Sequence, residues 1–173
     1  MQRFPAAAWS LSLKLMSFLS TLILLAILGV YFVATPFRAV EPMVLRLLPV
    51  VGLTATALIS LLFVVREYEV TRGELKIQRL LWTTTLPFEL VKAWHDPMAT
   101  RWSMRLFGNG GLYSITGLFQ NRTLGRYRAF LNDKSKSVVL VTTTRTIVVS
   151  PADPSAFLQH LAMLYPQAEV IRG

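Results

Sequence analysis

Basic side chains are the densest concentration of residues in this sequence that could bind or recognise a ligand. Seven lysines and arginines fall between residues 101 and 136, and aromatic side chains are interleaved with them. Guanidinium and ammonium groups bind phosphate and carboxylate groups, and Trp and Tyr are favoured where water meets lipid. The alternative is dispersed, solvated charge. We predict a surface for a headgroup or an acidic partner, formed by Arg101, Arg105, Arg122, Arg126, Arg128, Lys134 and Lys136, with Trp102, Tyr113 and Tyr127 among them.

The residues that usually perform catalysis do not form a recognisable group. His95 and Asp96 are adjacent, but neighbours in sequence on a loop rarely form an acid–base pair, and no nucleophile accompanies them. His160 is typical of an ordinary surface or partly buried histidine. The nine acidic residues have no metal-ligand spacing, and the chain has no cysteine. We therefore expect no catalytic residue, no metal and no cofactor.

A glycine-rich stretch at residues 108–111 predicts a tight turn rather than a nucleotide site. After Gly108 and Gly110, the third glycine of a dinucleotide-binding motif would fall at Tyr113, and no helix is predicted there. The predicted loop that contains this turn runs over residues 96–111.

Two uncharged apolar stretches predict how the chain is placed relative to a membrane. A bilayer core of about 30 Å requires roughly 20 apolar residues in a helix, because unpaired backbone groups are costly in hydrocarbon. We predict transmembrane helices at residues 15–37 and 47–65, joined by a short external loop at 38–46, with Pro49 bending the second helix. Two alternatives remain, a pair of buried helices in a water-soluble fold and a cleaved signal peptide, whose apolar region would be shorter.

Lysines and arginines near the ends of these stretches predict the orientation of the hairpin. Bases favour the cytoplasmic side of a membrane. The loop contains only Arg38 and Arg46, so both termini are predicted to be cytoplasmic and the protein to cross the membrane more than once. The bases near the opposite ends of the two stretches are Arg3, Lys14, Arg66, Arg72, Lys76 and Arg79.

Composition separates the chain into a membrane part and one domain. The formal net charge is +9, and positive charge beside a bilayer favours anionic headgroups. Nucleic acid is another partner of basic domains. No helix-turn-helix, zinc-finger or RNP pattern is present in the sequence, so no nucleic-acid partner is expected. Residues 66–173 are sufficient for one domain, whereas the N-terminal segment 1–14 is too short to fold as a unit.

Alternating apolar residues predict a strand-rich domain that ends in a helix. A hairpin is expected over residues 67–78, further strands follow, and Pro87 indicates a sheet edge or corner. Asp153 and Pro154 are a cap and first helical residue, and Pro166 ends the helix. We expect about seven short strands in a curved sheet or open barrel with this helix at one end. Its apolar stripe comprises Phe157, Leu158, Leu161 and Leu164.

This arrangement resembles the bacterial pleckstrin-homology-like (PH-like) domains of membrane proteins. The resemblance covers about residues 68–164 and implies a membrane-anchored α+β protein, here a multi-pass protein of a bacterial inner membrane. In it, a two-helix transmembrane hairpin precedes a seven-stranded bent β-barrel, which the C-terminal helix caps. The residues that carry the resemblance are 68–77, 86–90, 105–111, 117–119 and 147–157.

The resemblance implies a binding or scaffold module rather than an enzyme. Eukaryotic members that bind phosphoinositides use a lysine followed by a basic-x-Arg pattern, but here Lys76 is followed by Arg79 and then by uncharged residues, so inositol-lipid binding is not carried over. The first hypothesis is recruitment of an unidentified protein partner or assembly into a homo-oligomer. The alternatives are a module for anionic lipid headgroups and a non-catalytic subunit of a membrane enzyme or transporter.

Overall fold

The computed structural model describes residues 2–34 and 43–171. Its elements are three helices, eleven strands and a short 3-10 helix, Lys134–Lys136. In chain order they are β1 Gln2–Pro5, α1 Leu11–Ala34, α2 Met43–Leu62, β2 Val65–Thr71, β3 Gly73–Arg79, β4 Thr83–Phe88, β5 Leu90–His95, β6 Met104–Gly110, β7 Ile115–Asn121, β8 Gly125–Leu131, β9 Val138–Thr142, β10 Thr146–Val149, α3 Pro154–Leu164 and β11 Glu169–Ile171.

The described strands form two sheets rather than one seven-stranded barrel. Four strands lie in the order β1-β2-β3-β4, and seven lie in the order β11-β5-β9-β10-β8-β7-β6. The α+β class with a C-terminal helix is confirmed, and in place of the predicted seven-stranded bent barrel the described strands form a sandwich-like pair of sheets. The prediction missed strand β6 because its side chains are mostly exposed at a sheet edge and show no alternation of burial.

The segment before the first helix is part of the four-stranded sheet. Strand β1 pairs antiparallel with β2, in a register that runs from Gln2 opposite Val70 to Pro5 opposite Glu67. Phe4 is buried in the core at 6% exposure. The segment is too short to fold alone. It is ordered because its backbone pairs with β2 and because Phe4 is buried in the core of the domain.

The main core lies between the two sheets and helix α3. Phe157, Leu158 and Leu161 of α3 are buried in it, as their predicted stripe requires. The Asp153 carboxylate accepts a hydrogen bond from the Ala156 backbone N–H at 3.0 Å, which confirms the predicted cap. Pro87 lies in β4, at an edge of the four-stranded sheet, as expected.

A second core covers the opposite face of the seven-stranded sheet. Alternate residues of β8, including Tyr127, Ala129 and Leu131, point to this face. Leu13 of α1 packs against the same cluster and is 3% exposed. The first turns of α1 are thus attached to the domain.

Helix α1 is long and apolar enough to cross a membrane by length and composition. It begins at Leu11, four residues before the predicted span, because Ser10 satisfies the free N–H groups of the first turn through its side chain and carbonyl. The predicted end at Phe37 lies outside the described residues.

Helix α2 is the weaker candidate span. It begins at Met43, within the predicted loop, and contains Pro49 as expected. Its apolar stretch, Leu47–Leu62, is shorter than α1, so the described residues include one clear candidate span rather than two. Residues 38–42 of the predicted loop lie outside the described residues.

Candidate functional site

A cavity of about 270 Å³ opens on the face of the seven-stranded sheet that also receives Leu13 of α1. Strands β7 and β8 build its floor, because the alternate residues that point to this face are apolar or aromatic. Its wall is polar and comes from the segment between β5 and β6 together with two basic side chains. The lining residues are Thr100, Ser103, Arg105, Gly110, Ile115, Phe119, Tyr127, Ala129, Leu131 and Lys134.

The hydroxyl of Ser103 is held as a donor at the wall of this cavity. Ser103 Oγ accepts hydrogen bonds from Tyr127 at 2.6 Å and from Asn121 Nδ2 at 3.1 Å. Burial raises the pKa of Tyr127, so its hydroxyl stays protonated and remains a donor to Ser103. Because the oxygen already accepts two hydrogen bonds, the Ser103 proton is directed to a further acceptor.

Arg105 belongs both to this cavity and to a groove beside helix α2. Its side chain lies along the β6–β7 hairpin toward Gly110, where an added Cβ would lie 3.1 Å from Arg105 Nη1. The groove has a volume of about 330 Å³ and lies between this hairpin and the last turns of α2. It is lined by Ile59, Ser60, Phe63, Arg105, Gly108, Asn109 and Leu112.

The end of the β6–β7 hairpin is bonded to helix α1. The Tyr113 backbone N–H donates to Ser17 Oγ at 2.9 Å, and Ser17 Oγ donates to the Gly111 carbonyl at 3.4 Å. The hydroxyls of Thr21 and Tyr113 lie 2.8 Å apart. Since Gly110 lines the cavity and Gly111 touches α1, one end of the cavity abuts the helix.

The structure brings three of the seven predicted basic residues together. Arg105 and Lys134 line the cavity, and Arg101 joins Lys134 around an adjoining depression of about 590 Å³. Trp102, which lines that depression, is 85% exposed and has a φ of 54°. Three residues of the predicted basic set therefore lie together, around the segment that joins β5 to β6.

The other four predicted basic residues lie away from the cavity. Arg126 and Arg128 alternate with Tyr127 on β8 and point to the opposite face of the sheet. Arg122 lies in the turn between β7 and β8. Lys136 Nζ donates to the Ala152 carbonyl at 2.6 Å. The residues that the prediction missed are Thr100 and Ser103, whose small hydroxyl side chains give no distinctive signal in the sequence.

Arg79 is a buried cation beside the end of helix α2. Its guanidinium lies 5.0 Å from the Phe63 ring, 5.7 Å from Trp82 and 5.4 Å from Phe130. It donates to the Phe63 carbonyl just after α2, at 3.3 Å. Burial, and then the positive charge of Arg128, lower the pKa of Arg79 to about 10, so it stays charged at neutral pH.

His95, Asp96 and the glycine-rich turn have local structural partners. His95 Nε2 lies 3.2 Å from the Ser135 carbonyl, and Asp96 Oδ1 accepts from the Met98 N–H at 2.8 Å. Asn109 Oδ1 accepts from the Leu112 N–H at 3.0 Å, which closes the predicted turn. Within the described part of the chain, no group of three or more His, Cys, Asp and Glu side chains could hold a metal ion.

Comparison with known families identifies the strand-rich part of the chain. A family model described as bacterial PH domain matches residues 66–164, which span β2 to the end of α3. Comparisons with curated proteins and with solved structures returned no match. The family match covers more than half of the chain and agrees with the α+β fold, so the chain belongs to the bacterial PH domain family.

Proposed function

We propose that this protein is an integral membrane protein whose cytoplasmic PH-like domain binds the anionic headgroup of a lipid. The observation that carries the proposal is the position of Arg105. This residue lines the cavity on the sheet and the groove against α2, so its positive charge lies next to the helices that enter the bilayer. The module is proposed to bind rather than catalyse.

The pairing of β1 with β2 supports a hairpin that crosses the membrane twice. These strands flank the two helices in the chain and are neighbours in one sheet. A single crossing would put them on opposite sides of the bilayer, which their pairing excludes. If α1 crosses, α2 must therefore return the chain to the same side. The excess of basic residues outside the loop favours the cytoplasm for that side.

The chemistry of the cavity fits an anion that carries an apolar group. Arg105, Lys134 and the Ser103 hydroxyl supply donors suited to phosphate oxygens. Phe119 and Ile115 on the floor, which are 6% and 7% exposed, supply an apolar surface for the glycerol or the first part of an acyl chain. A free anion would use only the first of these two surfaces.

Native mass spectrometry of the full chain, released from micelles after incubation with phosphatidylglycerol or phosphatidylcholine, tests this function. The Arg105→Ala/Lys134→Ala double variant should retain phosphatidylglycerol roughly 30-fold less, because each of the two bases near an anionic surface contributes about 1 kcal/mol. The matched control is Arg122→Ala/Arg126→Ala, which removes the same charge from the β7–β8 turn and from the opposite face of β8. Equal loss in both variants, or no loss in either, would contradict the proposal.

A scaffold function is the second candidate, and the sheet edges favour it. Strands β4 and β6 are edges whose outer backbone groups can pair with another chain. We propose a protein partner or a second copy at such an edge. Crosslinking in native membranes should return a defined adduct, and monomer alone would count against this function.

A further inference from the structure

We infer that two apolar stretches of the domain enter the lipid at the membrane interface, so that the domain is embedded rather than suspended from a linker. We call them together the interface rim. This inference rests on the proposed transmembrane hairpin, but it does not require the proposed headgroup site. The interface rim comprises Leu80, Leu81 and Trp82 in the β3–β4 turn and Leu106 and Phe107 in β6.

The β3–β4 turn lies at the end of helix α2. The Trp82 ring is 5.3 Å from the ring of Phe63, which follows the last residue of α2. Leu80 and Leu81 remain 50% and 73% exposed in water. Because Trp82 is held against the end of α2, the exposed side chains of Leu80 and Leu81 lie at the level of the membrane surface.

Strand β6 offers a second exposed apolar surface beside the same helix. Phe107 is 80% exposed and Leu106 is 41% exposed. Gly108 follows Phe107 directly and lines the groove whose other wall is Ile59 and Phe63 of the α2 end. The α2 side of this groove belongs to the proposed membrane span. Lipid therefore surrounds the groove and is the molecule that occupies it.

The hydrogen bonds between the hairpin and α1 indicate how deep β6 lies. Lys14 is the last charged residue before the span, and Thr21 lies seven residues beyond it. At about 1.5 Å per residue, Thr21 is about 10 Å further along the helix. Its hydroxyl is 2.8 Å from that of Tyr113 at the end of the hairpin. The hairpin therefore extends past the last charge of α1 into the headgroup layer.

The charges next to the interface rim suit a lipid boundary. The Arg79 guanidinium lies directly behind the β3–β4 turn, and Arg105 lies next to Leu106. An apolar side chain in the acyl region with a cation at the phosphate level is the arrangement that anchors proteins at membrane interfaces. A water-exposed surface would leave the large apolar side chains of both stretches in contact with solvent.

Spin labels on single cysteines test the inference directly, because the natural chain has no cysteine. The full-length Leu81→Cys and Phe107→Cys variants are labelled and reconstituted in phosphatidylcholine vesicles. Accessibility to oxygen and to a water-soluble nickel chelate is then measured. Both sites should show several-fold more oxygen and less nickel-chelate contact than Arg145→Cys, which is exposed at the β9–β10 turn. Ile27→Cys in α1 is the membrane control.

The outcomes separate this inference from the proposed function. If Ile27→Cys lies in lipid but Leu81→Cys and Phe107→Cys behave like Arg145→Cys, the interface rim is aqueous and the inference is wrong. If Ile27→Cys is itself exposed to the chelate, the proposed hairpin fails first. Strong dipolar broadening between Phe107→Cys labels on different chains would assign β6 to a second copy and also overturn the inference.

Discussion

At the scale of single residues, Tyr68 joins the two sheets through its hydroxyl. The hydroxyl donates to the Phe130 carbonyl at 2.7 Å and accepts from the Ser150 N–H at 3.1 Å. The side chain is fully buried, and burial is the largest effect on its ionisation, raising the pKa of Tyr68 to about 12.

This pKa predicts a loss of stability at high pH. The unfolded tyrosine releases its proton near pH 10, whereas the folded one holds it until about pH 12. The stabilisation is complete below pH 10 and is lost as the pH rises to 12, at about 1.4 kcal/mol per pH unit. Denaturant unfolding in micelles from pH 9 to 12 should show this slope for the natural chain and a shallower one for Tyr68→Phe. Equal slopes would contradict the assignment.

Two glycines allow strands β6 and β7 to approach closely. Gly108 and Gly117 face each other, with φ of 110° and 148°. A Cβ at Gly117 would collide with the Phe107 carbonyl oxygen, and backbone cannot move aside as a flexible side chain can.

We predict that Gly117→Ala destabilises the β6–β7 hairpin by roughly 2 kcal/mol or more, through collision and backbone strain. The control is Gly111→Ala, which has a comparable positive φ of 146° but open space around the new methyl group. Amide hydrogen exchange of β6 should accelerate much more in Gly117→Ala than in the control. Similar exchange in both variants would show that strain alone decides the effect.

At the scale of elements, strand β1 completes the four-stranded sheet of the domain, although it lies before helices α1 and α2 in the chain. Phe4 packs edge-on against Phe157 of α3, with ring centroids 5.0 Å apart. The Ala7 N–H donates to the Ser150 carbonyl at 2.8 Å. The N-terminal segment thus contributes both core and sheet pairing.

Truncating Phe4 should therefore destabilise the domain as a core mutation does. We expect Phe4→Ala to lower the free energy of unfolding by about 3–5 kcal/mol, because it removes a buried ring and leaves a cavity. Gln2→Ala, on the exposed part of the same strand, should change it by less than about 0.5 kcal/mol. Thermal or denaturant unfolding in micelles measures both, and similar values for the two variants would exclude β1 from the cooperative unit.

At the scale of the whole molecule, the sheet constrains the membrane topology. Because β1 and β2 pair, Gln2 and the whole PH-like domain must lie on the same side of any bilayer that the proposed hairpin crosses. This constraint holds for either orientation of the hairpin.

Cysteine labelling with a membrane-impermeant maleimide checks the topology. Gln2→Cys and Arg145→Cys should both react in inverted inner-membrane vesicles and both be protected in intact cells. Reaction of only one of the two variants in either preparation would show that β1 and β2 do not pair across the two helices. Reaction of both in intact cells would keep the pairing and reverse the predicted cytoplasmic location.

Sequence patterns determined the features that depend on neighbouring residues. The apolar stretch of α1 and the stripe and cap of α3 depend on local periodicity and composition, and both are found in the structure. The β2–β3 hairpin, with its turn at Gly73, is local in the same sense. The hairpin and the approach to α3 also carry much of the resemblance to PH-like domains, which the family match confirms.

Only the tertiary structure decided where distant segments meet. Strand β1 pairs across the two helices, and β10 pairs with β8 in parallel, so neither partner can be read from adjacent residues. The same long-range pairing puts Arg105 and Lys134 at one cavity and leaves Arg126 on the opposite face of β8. Charge and composition are properties of the sequence, but convergence depends on register, because one position along a strand reverses the face to which a side chain points.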